Sequence, residues 1–129
     1  HIYSNYDGIY VINCCELMIT NNYIEHNYGR GICLQENGAY GCYAATIATN
    51  SFLHNCLNPT ATNSHIELRS DDSGLLYNIL IMGNRFNGTD ANHAVMGWNC
   101  SYIQVRHNVW NGGFGISAIN VTGTNIDTD

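Results

Sequence analysis

The sequence predicts an all-β solenoid, and three observations predict it. An eight-residue pattern (apolar, any, apolar, any, any, Asn, any, apolar) recurs four times along the 129 residues. A second pattern, a small residue followed by an alternating strand, recurs in register with the first. The composition agrees: helix formers are scarce, while Ile, Tyr, Thr and Val are common and asparagine appears 19 times.

The asparagine pattern reads Leu17-x-Ile19-x-x-Asn22-x-Ile24, then Ala45-x-Ile47-x-x-Asn50-x-Phe52. It returns as Ile79-x-Ile81-x-x-Asn84-x-Phe86 and Ile103-x-Val105-x-x-Asn108-x-Trp110. The companion strand begins at Gly8-Ile9, Gly31-Ile32, His65-Ile66, Ala94-Val95 and Gly115-Ile116. The step between the two strands is 10 residues from Ile9 to Ile19 and from Val95 to Val105, but 15 from Ile32 to Ile47 and from Ile66 to Ile81. Two neighbouring repeats thus share a five-residue insertion. In a fifth repeat, Ile116 to Ile126 is again 10. Strands this short bury a face only by stacking on the next repeat. Alternation sends Ile9 and Val11 inward and Tyr10 outward. Asparagine tolerates the left-handed conformation a tight bend needs, and its amide can bond the asparagine one coil away. Asn22, Asn50, Asn84 and Asn108 are therefore expected to form a ladder at roughly 4.8 Å per step.

These repeats resemble the right-handed parallel β-helix of the pectate-lyase-like superfamily, over about residues 8–126. The resemblance implies about five coils and three short parallel sheets, with an asparagine ladder in one turn. The expected walls are Ile9, Ile32, Ile66, Val95 and Ile116; Ile19, Ile47, Ile81, Val105 and Ile126; and Ile24, Phe52, Phe86 and Trp110. Residues 1–129 read as a single β-helix segment of a larger chain or assembly. Coil 5 stops as its second strand begins, and neither end supplies a polar cap, so flanking segments or self-association would cover the ends.

A net charge of −6 with four arginines and no lysine argues against nucleic acid and anionic membrane surfaces as partners. No apolar run is long enough to span a bilayer as a helix. The compartment stays open, with secreted or virion settings both compatible. The six cysteines, at 14, 15, 33, 42, 56 and 100, show no C-x-x-C spacing and no zinc pattern. At least four are expected to be free thiols. Cys14 and Cys100 share one turn three coils apart, too far to bond.

In the superfamily it resembles, ligands lie along the outer face of the first sheet. Alternation places Tyr10, Cys33, Gln35, His65, Glu67, Arg69, Met96, Trp98 and Ser117 there. The shared insertions, 36–43 and 69–76, wall the same region with Glu36, Tyr40, Tyr43, Asp71 and Asp72. Cleavage of a glycoside needs two carboxyls about 5–10 Å apart. Glu67, Asp71 and Asp72 are the candidate catalytic residues, with His65, Arg69, Gln35, Trp98 and Tyr40 as ligand contacts. A carbohydrate-recognising or degrading module, lyase or hydrolase, is the leading expectation. The alternatives are a non-catalytic tailspike-like host-recognition segment and a purely structural solenoid. No cofactor or metal is assigned, although Asp71 and Asp72 could join a calcium site. The polygalacturonase-like branch pairs its aspartates with a Gly-His-Gly motif, which this chain lacks. His26 and His54 hold equivalent turn positions and read as a stacked pair.

Overall fold

The structure, a computed structural model, describes residues 1–38, 40–58, 64–70, 76–87, 91, 93–112 and 118–129. Its strands are β1 (Ile2–Tyr3), β2 (Ile9–Ile12), β3 (Met18–Thr20), β4 (Tyr23–Glu25), β5 (Ile32–Gln35), β6 (Cys42–Ala48), β7 (Ser51–Leu53), β8 (Ser64–Arg69), β9 (Leu76–Met82), β10 (Arg85–Asn87), β11 (His93–Arg106), β12 (Val109–Asn111) and β13 (Ile119–Thr128). Every strand-to-strand pairing among them is parallel. The chain is a parallel β-helix with three walls. β2, β5, β8 and the start of β11 form the first wall, and β3, β6, β9 and the end of β11 the second. β1, β4, β7, β10 and β12 form the third.

The first two walls are joined into one curled sheet. Coil 4 lacks the five-residue insertion, so β11 turns the corner without leaving the ladder. It does so with Asn99 and Tyr102 at φ 53° and 54°. Register follows the repeat through four coils: Ile9, Ile32, Ile66 and Val95 align, as do Ile19, Ile47 and Ile81. Val105 joins that second row from β11. On the third wall Phe52 and Phe86 stack at 4.8 Å and 7°, and Phe86 and Trp110 at 5.0 Å and 18°. Each large apolar side chain enclosed here contributes about 1.5–3 kcal/mol relative to exposure. Gly31 shows why a small residue precedes the first-wall strand, since a Cβ there would lie 2.8 Å from His65 O and 2.8 Å from Phe52 Cδ1.

The ladder forms as expected, with one correction. Asn22, Asn50 and Asn84 each donate backbone N–H (2.9 Å) and side-chain Nδ2 (3.1–3.2 Å) to the Oδ1 one coil on. The left-handed residue at that bend, however, is the one before the asparagine: Asn21, Thr49, Gly83 and His107. The amide can then point inward and bond while its neighbour makes the turn. A second ladder joins Asn5, Asn27 and Asn55, with Asn5 N donating to Asn27 Oδ1 (3.0 Å) and Asn27 Nδ2 to Asn55 Oδ1 (2.8 Å). The spacing Ile2-x-x-Asn5, Ile24-x-x-Asn27, Phe52-x-x-Asn55 carried that signal.

Coil 5 departs from the expected register. Ile116 and Ser117 lie outside the described residues. Val95 pairs with Ile119, and Ile126 pairs with Ile103 rather than Val105. Period-2 patterning fits Ile116 with Ala118 as well as Ile119 with Val121, and β13 takes the pair with more apolar surface. An irregularity between Gly97 and Cys100 absorbs the change in step.

Candidate functional site

The outer face of the first wall carries two adjacent rows. One runs Ile12, Gln35, Arg69, Trp98, and the other Tyr10, Cys33, Glu67, Met96. Gln35, Arg69 and Trp98 therefore stand side by side, on three successive coils, all half-buried. The Tyr10 hydroxyl donates to Gln35 Oε1 at 2.6 Å. Alternation within β5, β8 and β11 puts these three side chains on one face, and the register of three coils makes them neighbours.

Glu67 is on the expected face but is fully enclosed, at 0% exposure. Arg30, itself only 8% exposed, reaches over it from the loop entering coil 2. Arg30 Nε donates to Glu67 Oε2, while its Nη1 lies 3.0 Å from Asp7 Oδ2 and its backbone N donates to Asp7 Oδ1 at 2.8 Å. The other oxygen, Glu67 Oε1, is 3.3 Å from Arg69 Nη2, an ion pair without hydrogen-bond geometry. Burial works against the charged Arg30, but Glu67, Cys33 and Asp7 outweigh it and hold the guanidinium above its ordinary range. The result is a charge-balanced chain, Asp7–Arg30–Glu67–Arg69. Only Arg69 presents appreciable surface, with its side chain 32% exposed. Cys33, expected outward, is covered by the same roof; burial, then the charge of Glu67, pushes its thiol up to about 12.

His65 is corrected more fully. It occupies the corner position of Gly31 and Ala94, where the side chain turns into the coil. Its ring sits 5.9 Å from Phe52 and 5.8 Å from Phe86, and Nδ1 lies 3.2 Å from Asn55 Nδ2. The side chain is fully buried. At a corner two successive residues both face inward, which strict alternation does not anticipate.

Tyr40 is exposed and lines a cavity of about 400 Å³ with Asn13, Cys14, Cys15, Tyr43 and Tyr77. Tyr43 and Tyr77 stack at 5.4 Å and 10°. Part of the insertion in coil 2 is anchored from within: Glu36 is buried, accepts from Gly38 N at 3.1 Å, and receives Ser70 Oγ at 3.4 Å. Asp71 and Asp72 lie outside the described residues, and with them the calcium expectation. Among the described residues no group of three or more His, Cys, Asp or Glu is placed to hold a metal ion. His26 and His54 stack at 5.5 Å, as their equivalent turns imply.

The sequence reading missed Asp7 and Arg30. Their partners are 23 and 37 residues apart in the chain, so no local pattern marked them. Comparison with known proteins is consistent with this geometry. A family model described as a right handed beta helix region matches residues 1–128. Neither the search of curated proteins nor that of solved structures returned a match. With parallel coils, stacked asparagines and a family match over nearly the whole length, the chain belongs to the right-handed β-helix family.

Proposed function

We propose that this chain is a carbohydrate-recognising β-helix module whose first wall takes an acidic polysaccharide. One observation carries the reading: the row Gln35, Arg69, Trp98 sets an amide, a guanidinium and an indole in line along the helix axis. Three coils give this row a span of roughly 10 Å. Arg69 supplies the cation for a uronate or sialate carboxylate, a charge-assisted contact worth about 1.5–3 kcal/mol. Trp98 supplies apolar surface for a ring face. Recognition is favoured over cleavage because Glu67 is enclosed and both its oxygens face arginines, so neither is directed at a ligand on the surface.

Calorimetry with oligouronates and their neutral counterparts tests this. Arg69→Ala should weaken uronate binding about tenfold or more, and leave neutral-sugar binding nearly unchanged. Trp98→Ala should weaken both. If Arg69→Ala binds the acidic glycan as the parent does, the row is not the site. Release of new reducing ends from the same oligosaccharides would instead make the module an enzyme.

A further inference from the structure

Two thiols meet at the corner where the first and second coils stack. Cys15 bridges Tyr43 in parallel register, Tyr43 N donates to Cys14 O at 2.9 Å, and Glu16 N donates to Tyr43 O at 3.2 Å. That register sets Cys14 directly against Cys42, one strand step of ~4.8 Å away. Both side chains face the interior: Cys42 is fully buried in the core, and Cys14 packs against it. Alpha carbons at this step fall inside the roughly 4.4–6.8 Å that a disulfide spans. Cys100 shares the column but is separated from Cys42 by Leu76. The cavity lined by Cys14, Cys15 and Gly41 opens on this corner and reaches Cys14, while Cys42 lies enclosed directly behind it and donates its Sγ–H to Gln35 O at 3.1 Å.

We propose that Cys14 and Cys42 form an oxidative modification site, a dithiol that hydrogen peroxide converts into a disulfide joining coils 1 and 2. A thiolate of the pair attacks one peroxide oxygen, the O–O bond breaks, and hydroxide leaves to become water with the proton that thiol gave up. That sulfur then carries S–OH. The other sulfur displaces the hydroxyl, and its own proton leaves with it as a second water while the S–S bond forms. The two sulfurs give up two electrons, and the peroxide is reduced to two waters.

The surroundings favour this pair over the other buried thiols. The hydrogen bond from Cys14 pulls the Cys42 thiol down to about 7, and the same contact pushes Cys14 up. Burial pushes Cys33, Cys56 and Cys100 up to about 12, which leaves them poor nucleophiles at neutral pH.

The test is peroxide treatment of the full chain at neutral pH, read by intact mass, thiol titration after denaturation, and peptide mapping. The expected result is a loss of two hydrogens, two fewer thiols than the six of the untreated chain, and a reducible Cys14–Cys42 link. Cys15→Ser should keep the link. Cys14→Ser should lose it. A link through Cys15 or any other thiol overturns the proposal, as does oxidation to sulfinic acid with no link. If Cys14→Ser does not fold, the peptide map of the unaltered chain decides alone.

Discussion

The asparagine ladder and the Arg30–Glu67 network both bury polar groups in one small solenoid, by opposite means. In the ladder each coil repeats the one before. Asn50 and Asn84 take the backbone N–H and the amide N–H of the preceding asparagine, and return Nδ2 to Ile19 O and Ile47 O at 2.8 and 2.9 Å. Each rung is neutral and supports its neighbours. In the network four charges from three coils meet once, and among the described residues none of the contacts recurs. Repetition makes burial cheap because every donor already faces an acceptor. A single ion cluster must instead offset the desolvation of each charge by a specific partner.

The largest expected effect breaks the network. Glu67→Ala leaves Arg30 enclosed without its main partner, and should cost about 3–5 kcal/mol of stability in urea unfolding. A loss below about 1 kcal/mol would mean that Arg30 moves out to solvent and the cluster is not structural. Next comes the ladder. Asn84→Ala orphans Asn50 N and Ile47 O, both of which it satisfies, and should cost about 2–3 kcal/mol in the same assay. Asn22→Ala, at the partly exposed end, should cost less.

A smaller effect separates the two regions by pH. Burial comes first in raising both Cys33 and Cys100 to about 12, but only Cys33 also feels Glu67. A thiol held above its ordinary 9.0 keeps its proton in the folded chain where the unfolded chain releases it. Its contribution is whole below pH 9 and is lost as pH rises from 9 toward 12, at about 1.4 kcal/mol per pH unit for each thiol. Stability measured across that window should fall. Glu67→Gln should speed alkylation of Cys33 relative to Cys100 at pH 9, because the opposing arginines remain. An unchanged ratio would show that the network is not felt at Cys33. The smallest effect is at its rim: Arg69→Ala should cost less stability than Glu67→Ala, about 1 kcal/mol, because Arg30 still pairs with Glu67, while its larger cost falls on glycan affinity. A large loss of stability would move Arg69 from ligand contact to scaffold.

The sequence by itself determined the coil, the four-coil register and the main asparagine ladder, because each is a local period copied from repeat to repeat. Ile9, Ile32, Ile66 and Val95 could be aligned on paper, and the strands pair that way. It also placed Gln35, Arg69 and Trp98 on one outward row, since strand alternation needs only parity. Tertiary structure alone decided three things. A corner turned His65 into the core, because two successive residues face inward where the chain bends. Arg30, from a different coil, roofed Glu67, and no period links residues 37 apart. Coil 5 chose Ile119 over Ile116 beside Val95, as two alternating patterns overlapped and packing on β11 selected one. Parity and period are properties of a chain, whereas enclosure is set by whichever side chains happen to arrive from elsewhere.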